Sequence, residues 1–240
     1  MAETGHIKNV EHFQMMIAAV QGYGGVYQPA NADITVASLQ ADLANANAGI
    51  DAVTTALIPW KVAVNERESE YEGIGKLTTR VAASFASCGA EKNAVEDMKS
   101  FARKIAGDRK SKIKADDPNT PEDESKHNSV SQRSYTQIAE HLDNIIEMCQ
   151  NEPKYTPNEA ELRVASLQTK SADCKTKNQG VIDKTVPVDN GRMQRNEALY
   201  DDGTGVVEKA RLVKLYVKSL FGASSPQYQQ ISGLQFTKPR

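Results

Sequence analysis

The stretch Tyr27-Gln-Pro-Ala-Asn-Ala-Asp-Ile-Thr-Val-Ala-Ser-Leu-Gln40 recurs as Tyr155-Thr-Pro-Asn-Glu-Ala-Glu-Leu-Arg-Val-Ala-Ser-Leu-Gln168. Carried on to Pro59 and Pro187, the two segments align without a gap and share 11 identities in 33 positions. Unrelated segments of ordinary composition would share about two. Matching alanines weigh little in an alanine-rich chain, whereas matching prolines at both ends weigh a great deal. With single-residue gaps the correspondence extends upstream, pairing Glu11-His12-Phe13 with Glu140-His141-Leu142 and Met16-Ile17 with Ile145-Ile146. Downstream it pairs Glu68 with Glu197, Tyr71 with Tyr200, Arg80 with Arg211 and Gly89-Ala90 with Gly222-Ala223. Repetition at a period of roughly one hundred residues reads as a tandem duplication.

The spacing of apolar residues decides what is duplicated. Val36, Leu39, Leu43, Ala46, Ile50, Val53 and Leu57 alternate steps of three and four, a heptad stripe that requires a partner helix. A first helix over roughly residues 6–21 precedes it and stops at Gly22-Tyr-Gly-Gly25, where glycine relieves left-handed strain. Asn31 or Asp33 is the expected cap of the second helix. Pro59 is expected to end or kink it, lacking an amide hydrogen and clashing with the preceding turn. A third helix carries Ile74, Leu77, Val81, Ser84, Phe85 and Cys88, and a fourth carries Val95, Met98, Ala102 and Ile105. Counterparts in the second half run through Val206, Ala210, Val213, Val217 and Leu220, then Tyr228, Ile231 and Leu234. The expected fold is therefore all-α, two copies of a four-helix, up-down bundle-like unit with long helices. Residues 1–106 form one repeat unit and 132–240 the other. Between them, 107–131 has no aromatic residue and only Ile113 and Val130 as aliphatic ones. It cannot bury enough apolar area to offset its ordering entropy, and reads as a flexible charged linker.

The copies differ in one respect. The stripe of the second becomes Val164, Leu167, Ser171, Cys174, Asn178, Val181 and Thr185, so three apolar layers have turned polar. Either that face is less buried or Ser171, Asn178 and Thr185 join a satisfied polar network, because an unpaired buried amide costs about 1–3 kcal/mol.

Charge excludes some functions. The 240 residues carry 29 basic and 31 acidic side chains, a net charge of −2 that offers no field to nucleic acid or an anionic membrane. Cys88, Cys149 and Cys174 are an odd number, far apart and without a CxxC pair, which argues against a disulfide framework or a zinc site and for a reducing cytoplasm. The opening residues do not read as a signal peptide, although signal-independent export stays open. The longest apolar run, Met15–Val20, is far short of the roughly 18–20 residues of a membrane span.

Candidate chemistry is sparse. His12 and His141 each follow a glutamate at equivalent places, but neighbours on a helix point about 100° apart, so Glu-His is a poor chelator. A di-iron bundle needs Glu-x-x-His, and here Asn9 and Ile138 stand three before the histidines. The glycine clusters at 22–25, 73–75 and 203–205 lack phosphate-cradling patterns and read as helix breaks. Glu68/Tyr71 and Glu197/Tyr200 share helical faces, where a tyrosine hydrogen-bonded within a bundle is favoured over acid–base work. No catalytic, cofactor-binding or metal residue is assigned, and no cofactor is expected. The stretch Tyr216–Phe236, close to the end of the sequence, resembles the tail of bacterial helical proteins without an assigned activity, and the resemblance implies no site. The expected role is a non-enzymatic helical scaffold or interaction protein, working through itself or a protein partner, without nucleic acid or stable membrane insertion. One alternative is a membrane-active protein resembling helical pore-forming toxins, with Ile58–Val64 as its only concealed apolar hairpin. The other is an enzyme whose residues assemble only in three dimensions.

Overall fold

The computed structural model describes residues 4–107 and 133–238. Helix accounts for 81% of them and no strand occurs among them, so the protein is all-α. In order come α1 (Thr4–Gly22), α2 (Val36–Tyr71), α3 (Ile74–Ser87), α4 (Lys92–Ala106), α5 (Tyr135–Asn151), α6 (Val164–Tyr200), α7 (Val206–Phe221) and α8 (Pro226–Ser232). The segment expected to be a linker lies outside the described residues except for Gly107, which closes α4 with a left-handed φ of 80°.

The two aligned segments fold alike. Each begins with a tyrosine whose hydroxyl donates to a main-chain carbonyl seven residues on, Tyr27 to Ile34 at 2.7 Å and Tyr155 to Leu162 at 2.8 Å. Both tyrosines are buried, and each closes its loop over a single 3-10 turn, Ala32–Ile34 or Ala160–Leu162. Asn31 caps that turn, its side chain accepting from the Asp33 amide at 2.9 Å. The following helix is capped instead by Thr35, whose hydroxyl accepts from the Ser38 amide at 3.3 Å.

Pro59 does not end its helix. It lies within α2, as Pro187 lies within α6, each 23 residues after the helix's first residue. A helical proline forfeits one hydrogen bond and crowds the preceding turn, at a cost of about 3 kcal/mol. Anchors on both sides of Pro59 hold the helix through it. Val53 is 1% exposed, and the Trp60 indole donates to Thr185 Oγ1 at 3.1 Å.

Two compact units divide the chain, and each draws helices from both sequence repeats. A split unit comprises Met1–Lys61 and Asp183–Arg240, and a continuous unit comprises Val62–Ile182. In the split unit Phe13, Met16, Leu39 and Ala46 share a core with Leu199, Val213, Val217 and Ile231. In the continuous unit Val81, Phe85, Met98 and Ile105 share one with Leu142, Ile145, Leu167 and Cys174. Packing thus follows different boundaries from those of the repeats expected at 1–106 and 132–240. An apolar stripe specifies that a helix must be covered, but not which helix covers it.

Inside the split unit α2 and α6 run antiparallel at very short range, as the pairings 49 with 195 and 53 with 191 show. A Cβ on Gly49 would stand 2.7 Å from the Arg195 Cα, and one on Gly191 would stand 3.0 Å from the Val53 nitrogen. Gly180, also on α6, has nothing within 4 Å of the equivalent position. Gly180→Ala is therefore expected to raise the melting temperature by about 2–4 °C through helix propensity alone. Gly49→Ala should lower it, because the added methyl meets main chain rather than a yielding side chain. A thermal melt of the two variants beside the parent checks both signs.

The partition of the cores makes a second prediction. Fragments 1–110 and 111–240, expressed separately, should each be poorly helical and aggregation-prone. Co-expressed, they should assemble into a soluble 1:1 complex with parent-like circular dichroism. Two fragments that fold cooperatively alone would contradict the shared cores.

Candidate functional site

The densest polar cluster in the split unit forms where α1 meets the end of α6 and the closing segment of the chain. His6 and Asn9 fall on the buried face of α1, at 4% and 1% exposure. Tyr200, the last residue of α6, is buried with them. Its hydroxyl lies 2.8 Å from His6 Nδ1 and accepts from Asn9 Nδ2 at 3.0 Å. The Asn9 amide also brackets Thr237, donating to its carbonyl at 2.8 Å and accepting from its N–H at 3.0 Å. Next along the strap, His12 Nδ1–H donates to the Gln235 carbonyl at 2.7 Å. Lys238 donates to the Tyr200 carbonyl at 3.2 Å and lies 3.5 Å from Asp202. Every one of these contacts joins parts of the protein to each other. The cluster ties α1, the end of α6 and the closing segment together.

The sequence-level candidates separate in the same way. His12 is spent on the closing segment, and His141, in the continuous unit, sits 5.9 Å from the Phe101 ring. Both ring nitrogens of His141 are buried without a hydrogen-bond partner. Burial first, and the Lys104 charge second, hold its pKa below the usual imidazole value. Among the described residues no group of three or more His, Cys, Asp or Glu side chains is placed to hold a metal.

Tyr71 and Tyr200 are buried, whereas Glu68 and Glu197 are exposed. Tyr71 donates to the Cys174 carbonyl at 3.4 Å, and desolvation raises its pKa to about 12. The Tyr71 phenol is therefore not poised for proton transfer near neutral pH. Of the glycine clusters, Gly73 and Gly203 adopt left-handed φ values of 77° and 95°, the conformation that a break between helices needs.

The polar layers of α6 resolve as a set of partnered groups. Ser171, 3% exposed, donates to Asp143 Oδ1 at 2.5 Å, and Asp143 also pairs with Lys175. Asn178 donates to Thr136 Oγ1 at 3.3 Å, and Thr185 accepts from Trp60. Each of these residues thus meets a polar partner within its own unit. A second polar anchor, which neither periodicity nor motif flagged, is Lys209 at 7% exposure, paired with Asp42 at 2.6 Å.

Ile58–Val64 is not a concealed hairpin. It is an uninterrupted part of α2 in which Ile58 is 66% and Val62 50% exposed. Among the described residues no helix is long and apolar enough to cross a membrane. Two depressions among the described residues are open to solvent. One, in the split unit, is lined by Ala48, Ala52 and Ala56 of α2 and by Pro187, Asn190 and Gly191 of α6. Another, in the continuous unit, lies beside the ion pair of Glu66 and Lys177.

No protein-family model, curated protein or solved structure matches the chain.

The thiols give a direct test of this packing. Burial pushes Cys149 up to about 12 and Cys174 up to about 11, and both are buried. Only the thiolate attacks an aromatic disulfide reagent, so a raised pKa together with enclosure should block both. Half-buried Cys88 should be the first to react in the native protein at pH 8. All three should react at once in denaturant. Rapid native labelling of Cys149 or Cys174, located by peptide mapping, would contradict the placement.

Proposed function

We propose that this protein is a non-enzymatic helical interaction module, acting by self-association or by binding a protein partner. The observation that carries the reading is the open face of the α2–α6 pair in the split unit. Ala48, Ala52 and Ala56 recur at four-residue intervals beside Pro187 and Gly191, leaving a shallow surface on which another helix can lie close. Val186 and Met193, seven residues apart and so on one face of α6, are 55% and 62% exposed. Asn9, Ser171 and Lys209 meanwhile serve internal contacts, and function has to be argued from a site.

Two further readings belong with it. The chain is a tandem duplication, supported by the matched tyrosine latches, 3-10 turns and helical prolines. It works in a reducing cytoplasm, supported by three cysteines without a disulfide.

Light scattering across a wide concentration range should show mass rising above that of one chain, or native capture should return a stoichiometric partner. Ala48→Glu should weaken that association at least several-fold without altering the helical spectrum. A strict monomer that captures nothing from its host, yet turns over a metabolite, would overturn the proposal.

A further inference from the structure

The segment after α8 is held in an unusual way. Its partners grip main chain rather than side chains. Asn9 takes both the N–H and the carbonyl of Thr237, His12 takes the carbonyl of Gln235, and Lys214 donates to the carbonyls of Ser232, at 3.2 Å, and Leu234. Main-chain groups of Ser232, Leu234, Gln235 and Thr237 are thus all held by side chains of α1 and α7. The side chains of Leu234 and Phe236 pack against the core of the split unit. Phe236 meets the His12 ring edge-on at 6.1 Å. The cleft bounded by α1, α7 and the end of α6 therefore recognises an extended peptide with apolar residues two apart. Asn9, 1% exposed with the segment in place, spends its amide nitrogen and its amide oxygen on the Thr237 main chain. The cleft as built is complementary to this segment.

We propose that this cleft also receives the same segment, Leu234–Lys238, from a second copy of the chain, so that copies associate by exchanging their closing straps. The argument for this occupant is that the sequence that fits the cleft is the chain's own. The strap follows a seven-residue helix through Gly233, so a few residues of main chain suffice to redirect it. The inference goes beyond the proposed function: its contact is the strap cleft, and it does not involve the α2–α6 face.

The test uses two full-length variants. An acceptor, Leu234→Asp with Phe236→Asp, keeps its cleft but loses its strap anchors. A donor, Asn9→Leu, keeps its strap but loses the clamp. Both also carry Ala48→Glu to silence the α2–α6 face, so that each alone should be monomeric, and the mixture should form a 1:1 heterodimer by light scattering. Both variants folded by circular dichroism but still monomeric when mixed would overturn the proposal. So would an acceptor that dimerises alone, although that result would leave association through another face standing. If either variant fails to fold, the unaltered chain is incubated with a synthetic Gly233–Arg240 peptide carrying a photocrosslinker at the phenylalanine. Cross-links on α1 support exchange, and cross-links elsewhere or none overturn it. Because the resident strap competes, the peptide should bind the unaltered chain at least about tenfold more weakly than the acceptor.

Discussion

Two glycines set how close α2 and α6 come within the split unit, and much else depends on that distance. With Gly49 against the Arg195 main chain and Gly191 against that of Val53, the helices touch backbone to backbone. Close contact brings the Trp60 indole within reach of Thr185 and leaves only a shallow trough of alanines outside. It also explains why both long helices tolerate an internal proline. A helix held by neighbours on both sides of the break keeps its course despite one missing hydrogen bond.

Polar groups do a comparable job at the ends of the cores. His6, Asn9 and Tyr200 tie α1 to α6 and to the strap in the split unit, while Ser171 and Asp143 tie α6 to α5 in the continuous one. Apolar packing among alanines and aliphatics tolerates sliding. Directional bonds between buried partners do not, because a shifted register strands them without water.

Much of this was legible in the sequence. The heptad stripe from Val36 to Leu57 and the stripe from Val206 to Val217 marked their helices, the glycines at 22–25 marked the first stop, and the polar residues at 171, 178 and 185 left open a less buried face or a network, of which the structure shows partnered groups. The rest was not, for physical reasons. The stripe on α2 demands cover without naming it, so the sharing of each core between the sequence halves was invisible. Pro59 carries a strong local preference that packing overrides. The Asn9 clamp spans 228 residues of chain and leaves no periodic signal, and a single asparagine among apolar neighbours is all that sequence shows. No catalytic constellation was expected, and the polar groups that the structure gathers are ones no motif connects.

The nesting of the units also orders events on the ribosome. The continuous unit has all its helices once α6 has emerged, but the split unit opens with α1 and cannot close before Ile231 of α8. At about 5–20 residues per second, the apolar face of α1, with Phe13, Met16, Ile17 and Val20, waits roughly 10–40 s for its partners. For that interval the amino-terminal helix is an exposed amphipathic segment, and a chaperone that shields it would act on the weakest moment in the life of this fold.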